Sequence, residues 1–130
     1  MRVTLEHKLP FEKLQVWYLA KDFAKQVYAV TKGFPNEERF GLVSQINRAA
    51  VSVMSNVAEG SSRASRKDQA HFSQLAYSSL MEVACQLQLA QELGLYDEEA
   101  YGTLRAQLLE LSAKINALRR YQLNSAKAKS

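Results

Sequence analysis

Apolar residues recur at helical spacing in four segments of this chain. The first runs through Leu14, Trp17, Ala20, Phe23, Ala24, Val27 and Tyr28, with Lys21, Asp22 and Lys25 on the other face. This is the pattern of an amphipathic helix of about five turns. Gly33 supplies a stop and Pro35 blocks continuation. The second stripe is Leu42, Ile46, Ala49, Val53 and Val57. Its helix is expected to start at Asn36, an N-cap residue type, with Glu37 and Glu38 favourably placed against the helix dipole. Glu59-Gly60 closes it. The third helix starts at Ser65, where Asp68 three residues on resembles a capping box. Its stripe is Phe72, Leu75, Ala76, Leu80, Val83, Leu87 and Ala90, and Gly94 ends it. Asp97 caps the fourth, which carries Leu104, Leu108, Leu111, Ile115 and Leu118.

Short links force each helix antiparallel to the one before it. The pattern therefore predicts an all-α fold, an up-and-down antiparallel four-helix bundle over residues 11–123. Residues 1–10 read as a flexible lead-in and 124–130 as a polar tail. No run alternates with strand periodicity.

A second, polar stripe lies beside the apolar one on the second helix: Gln45, Arg48, Ser52, Asn56 and Glu59. At 100° per residue these fall within about an 80° arc. The third helix carries a matching set, Ser79, Glu82 and Gln86. Antiparallel pairing puts Arg48 near Glu82 and Ser79, and Gln45 near Glu82. One reading is an interhelical network centred on an Arg48–Glu82 ion pair that fixes register. The other is a solvated face whose side chains meet only water.

At 130 residues, 47 % of them hydrophobic, the chain fits one domain with one core. The single Cys85 excludes an internal disulfide. Its neighbours Val83, Ala84 and Leu87 suggest a small buried hydrophobe. Met1 to Pro10 lacks the apolar region of a secretion signal, and no apolar run approaches the roughly 18 residues of a membrane span. A cytoplasmic location is the expectation.

Net charge is +4 and the pI about 9.3, which permits an acidic partner without requiring one. Basic residues gather in two places. Arg63, Arg66 and Lys67 lie between the second and third helices. Arg105, Lys114, Arg119, Arg120, Lys127 and Lys129 follow Ala100 against the single acid Glu110. In an up-and-down bundle the loop between the second and third helices and the end of the fourth project from the same end, so one basic surface is expected. Arg63, Arg66, Lys67, Arg119 and Arg120 are thus candidate nucleic-acid-binding residues. Equally, helix C-termini attract cations through the dipole, and charged tails solubilise. Trp17, Tyr18, Tyr28, Tyr101 and Tyr121 are spread along the first and fourth helices. Trp17 suits the core. Tyr18, Val51 and Met54 fall off the core arc and suggest self-association.

No catalytic residue emerges. His7 and His71 are far apart, and no Cys-x-x-Cys, His-Glu-x-x-His or Glu-x-x-His spacing offers a metal site. No Gly-rich phosphate loop or Gly-x-Ser-x-Gly occurs. For a small hydrolase only Glu59 and Glu82 are candidate acids, and both have structural explanations. Neither an enzyme, a metal nor a cofactor is expected.

The chain resembles a bacterial four-helix-bundle family first noticed as proteins encoded in intervening sequences of large-subunit ribosomal RNA genes. The matching stretches include Val16-Trp17, Phe34-Pro35-Asn36-Glu37-Glu38-Arg39, Gln45-Ile46-Asn47-Arg48-Ala49-Ala50-Val51-Ser52 and Ser55-Asn56-Val57-Ala58-Glu59-Gly60. Later come Arg63, Ser79-Leu80, Glu82, Leu89-Ala90 and Glu92-Leu93-Gly94. The resemblance covers Leu14 to Tyr121. It implies a ring-like homopentamer and a nucleic-acid-related role. It also implies kinship with accessory variability proteins that assist the reverse transcriptases of diversity-generating retroelements and bind both nucleic acid and the polymerase. The polar stripe from Gln45 to Glu59 coincides with the family's motif positions. Met54 departs from them, standing where the family commonly has Pro, which leaves a straighter second helix.

The expected function is a non-enzymatic homo-oligomer that binds RNA or DNA through its basic surface, with no membrane role. The alternative is a protein-interaction scaffold or accessory subunit without a nucleic-acid role of its own.

Overall fold

The computed structural model of the chain describes residues 7–128. Four helices follow in order: α1 Gln15–Thr31, α2 Leu42–Ser61, α3 Arg66–Glu92 and α4 Glu98–Ala128. Short 3-10 turns occupy Pro10–Lys13 and Asn36–Glu38. No strand occurs among the described residues. Each helix packs on its sequence neighbour, and α1 closes the bundle against α4. The diagonal pairs do not approach, so the four rods form a square around one core.

That core is the set of apolar stripes turned inward. Phe23, Ile46, Leu80, Leu87, Leu104, Leu111 and Ile115 are fully buried, at roughly 1.5–3 kcal/mol for each large side chain. Ala20, Ala49, Ala50, Ala76 and Ala90 are buried among them and let the helix backbones come close. Some stripe positions sit at the rim instead. Tyr28 and Leu75 are exposed, while Trp17 and Leu118 are half-buried against the core, as is Met54, which the sequence pattern sets off the core arc. Trp17 packs on Phe11 with tilted rings and edge-on against Tyr18, at centroid distances of 4.5 and 5.1 Å. The Tyr18 hydroxyl donates to the Glu12 carbonyl at 3.0 Å. These contacts fasten the Pro10–Lys13 turn beside α2. Of the expected lead-in, residues 1–6 lie outside the described residues, while Leu9 and Pro10 border a shallow groove with Ser55 and Ala58 of α2.

Two helix ends follow the sequence signals closely. The Ser65 hydroxyl accepts from the Asp68 amide at 3.1 Å, and the Asp97 carboxylate accepts from the Ala100 amide at 2.8 Å. After α3, Gly94 takes a left-handed φ of 76°. The Leu95 amide then reaches the Ala90 carbonyl and the Gly94 amide the Gln91 carbonyl, a Schellman end.

Three expectations need correction. Asn36 does not cap the second helix: residues 36–38 make a 3-10 turn of three-residue hydrogen bonds, and α2 begins only at Leu42 behind Gly41. The intervening Phe40 is 88 % exposed. Cys85 is exposed, and its thiol donates to the Glu82 carbonyl at 3.2 Å. Its apolar neighbours in sequence misled, because positions one and two apart on a helix do not share a face. Finally, α4 stays helical to Ala128, past the expected start of a tail at residue 124. Lys129 lies outside the described residues.

Candidate nucleic-acid interface

The end of the bundle formed by the α2–α3 turn and the last turns of α4 carries the basic residues. Its geometry begins at Gly60, buried on α2. A Cβ there would stand 3.0 Å from the Phe72 Cβ and 3.3 Å from the Gln69 carbonyl, so only glycine lets the two helices approach this closely. The close turn lays the Arg63 guanidinium over the Phe72 ring, 4.5 Å from its centroid. Glu59 pairs with Arg63 at 2.7 Å on a solvent-exposed face. Gln69 donates from its amide to the Arg63 carbonyl at 2.8 Å.

Arg66 connects this turn to α4. Its Nη1 donates to Gln69 Oε1 at 3.0 Å and its Nη2 to the Tyr121 hydroxyl at 3.4 Å. The guanidinium lies 5.1 Å from the Tyr121 ring centroid. Tyr121 itself is exposed. Beneath it, the Ser73 hydroxyl donates to Gln122 Oε1 at 2.6 Å, with both side chains buried. A cleft of about 530 Å³ opens beside Arg66 and Lys67, with Ala126 on its α4 side. Arg119 and Arg120, in the last turns of α4, therefore share the end of the α2–α3 turn, whereas Arg105, bonded to Tyr101 near the start of α4, lies toward the other end.

They do not all share one face. Lys67 and Arg120 are exposed, with no hydrogen bond or ion pair among the described residues. Arg119 is half-buried, and its Nε is buried without a partner. On the α4 wheel Arg119 and Tyr121 are about 160° apart, with the core-facing Gln122 between them on the inner side. Since Tyr121 meets α3 through Arg66, Arg119 flanks the other side of α4. Of these cations only Arg66 contacts Tyr121. Arg63 lies over Phe72 and pairs with Glu59, and Lys67 lines the cleft beside Arg66.

The polar stripe of α2 resolves into a smaller network than its sequence pattern suggests. Ser52 and Ser79 hydroxyls are 2.9 Å apart, and the Asn56 amide donates to the Ser52 carbonyl and hydroxyl at 2.9 and 3.1 Å. Gln86 donates to Gln45 at 3.5 Å, while its own Oε1 is buried and unpartnered. Arg48 and Glu82 are both exposed and make no ion pair with each other. The reason is register. With Gln45 facing Gln86 and Ser52 facing Ser79, the residue level with Arg48 is the buried Val83, and Glu82 is turned one position round α3. Glu59 likewise leaves the stripe for Arg63.

Pairings absent from the sequence reading include Ser73–Gln122, Arg66–Tyr121 and a 2.9 Å hydrogen bond from buried Thr31 to Asn47. Tyr96 is another: it stacks on Phe34 at 5.5 Å and donates to the Leu87 carbonyl at 2.8 Å. Burial, and secondarily Tyr101, raises the Tyr96 phenol well above its ordinary range. Each joins different elements of the fold, so no helical spacing announces it. His71 is exposed at the edge of Phe72. No three His, Cys, Asp or Glu side chains among the described residues gather as a metal ion would need. No helix among them is long and apolar enough to cross a membrane.

Comparison with known proteins places this geometry. A search of curated proteins finds no match. Among solved structures, one similar chain is a protein of unknown function from the S23 ribosomal protein family of Bacteroides thetaiotaomicron VPI-5482. It superposes with a TM-score of 0.75 at 22 % identity, covering 81 % of this chain and 95 % of the other. At that identity the likeness concerns the fold. The family model described as 23S rRNA-intervening sequence protein matches residues 12–117, which takes in all of α1, α2 and α3 and most of α4. The chain belongs to the 23S rRNA-intervening sequence protein family.

Proposed function

We propose that this protein is a non-enzymatic, cytoplasmic homo-oligomer that binds RNA or DNA through the basic end of its bundle. The observation that supports this most is the Arg66–Tyr121 contact, which joins the cations of the α2–α3 turn to those of α4. Lys67 and Arg120 are exposed, with no acidic partner among the described residues, which leaves them available to phosphates. Such contacts are indifferent to sequence and release counterions, so affinity falls steeply with salt. Oligomerisation into a ring, the arrangement implied by the family resemblance, multiplies the basic ends and raises avidity. Exposed Phe40, Leu89, Leu93 and Leu109 offer apolar area for subunit contacts. Filter binding at micromolar protein tests the first part, with salt-dependent retention of RNA or DNA expected and none at low salt overturning it. Light scattering tests the second, with a monomer mass overturning it.

The same exposed apolar side chains favour a second reading, a scaffold or accessory subunit whose partner is a protein such as a reverse transcriptase. It predicts a specific co-purifying protein that nuclease treatment does not release.

A further inference from the structure

Resting on the nucleic-acid reading above, we infer that the Arg66–Tyr121 pair is a base-stacking step and that the interface takes single strands in preference to duplex. Tyr121 is a large aromatic left 56 % exposed beside the Arg66 guanidinium. It is not loosely held. Gln122, the next residue, is locked to Ser73 by a buried hydrogen bond, which fixes this turn of α4. The Arg66 guanidinium is held at two points, on Gln69 and on the Tyr121 hydroxyl, and lies against the ring. A planar cation beside an exposed aromatic is the surface on which unpaired bases stack. Lys67 lines the cleft beside Arg66, and Arg120 is exposed about 100° from Tyr121 on the α4 wheel, so both are available to the phosphates of a bound strand. The cleft lined by Arg66, Lys67, Gln69 and Ala126 gives the strand a path off the tyrosine.

A duplex cannot use this step. Its bases are stacked on each other, and a tyrosine on the side of α4 meets only backbone. Duplex therefore gains the phosphate contacts alone, while a single strand gains those and the ring. Stacking reads no sugar hydroxyl, so RNA and DNA strands both bind.

Fluorescence anisotropy with labelled oligo-uridine, oligo-deoxythymidine and a duplex of equal length tests this on the full chain. The wild type is expected to bind both single strands more tightly than the duplex. Tyr121→Ala is expected to weaken single-strand binding on the order of 10- to 100-fold and so collapse that preference. Tyr121→Phe, which keeps the ring, restores it, and circular dichroism of both variants reports an unaltered helix content. Equal or tighter duplex binding, or a single-strand preference that survives Tyr121→Ala, overturns the stacking step while leaving the phosphate interface standing. An absence of binding to all three probes at low salt overturns the nucleic-acid reading itself.

Discussion

Ser73 on α3 and Gln122 on α4 meet through a 2.6 Å hydrogen bond in the interior, 2 % and 4 % exposed respectively. They are two of the few buried polar side chains, and they sit directly below the basic end. A buried polar atom stripped of its partner bears its full desolvation cost, about 1–3 kcal/mol. Ser73→Ala, which leaves Gln122 Oε1 unpaired, is expected to lower unfolding free energy by about that amount. Urea denaturation checks it. The Ser73→Ala/Gln122→Leu double variant should recover part of the loss, since neither orphan then remains.

Gly60 is expected to resist substitution despite lying in a helix. Propensity alone favours alanine there by about 1 kcal/mol. The added Cβ would press the Phe72 Cβ and the Gln69 carbonyl, neither of which is the free end of a side chain. Gly60→Ala should therefore destabilise, by about 1–3 kcal/mol, and displace the Arg63–Phe72 stack. Thermal unfolding showing stabilisation would mean that α2 and α3 are further apart than described.

Core truncation should be costly at the centre of the bundle. Leu80 is fully buried. Leu80→Ala is expected to cost about 2–5 kcal/mol, whereas Leu109→Ala, on an exposed side chain, should change monomer stability by less than about 0.5 kcal/mol. Parallel denaturation curves separate the two.

Tyr96 predicts a pH dependence. Its phenol is raised above the ordinary 10.0 chiefly by burial, so the folded state holds its proton more tightly than the unfolded state. The stability this contributes is intact below pH 10 and declines as pH rises past it. An ultraviolet titration should show one tyrosinate appearing only as helix content is lost. Tyr96→Phe should remove that late phase and flatten the alkaline decline.

Much of the fold was legible because helical period is a strong local signal. The inward stripes from Phe23 to Ile115 are the observed core, and Ser65, Gly94 and Asp97 mark helix ends as their chemistry dictates. What failed depended on rotation or distance. Cys85 was judged by sequence neighbours that face elsewhere. Arg48 was set against Glu82 by height alone, and a single position of rotation about α3 separates them. Asn36 has the chemistry of a cap but follows Pro35 in a 3-10 turn. Arg119 and Arg120 are adjacent in the chain, yet only Arg120 is exposed beside Tyr121. The contact that organises the candidate interface joins positions 66 and 121, and no spacing rule links residues so far apart.

The most direct test of the account is the salt dependence of single-strand binding by the wild type and by the Arg66→Ala/Lys67→Ala/Arg120→Ala variant. Three phosphate contacts predict that wild-type affinity falls about 20-fold between roughly 50 and 200 mM salt. The variant should bind weakly, with a nearly flat slope. Equal affinities and equal slopes for the two proteins would contradict the assignment of the basic end as the nucleic-acid interface.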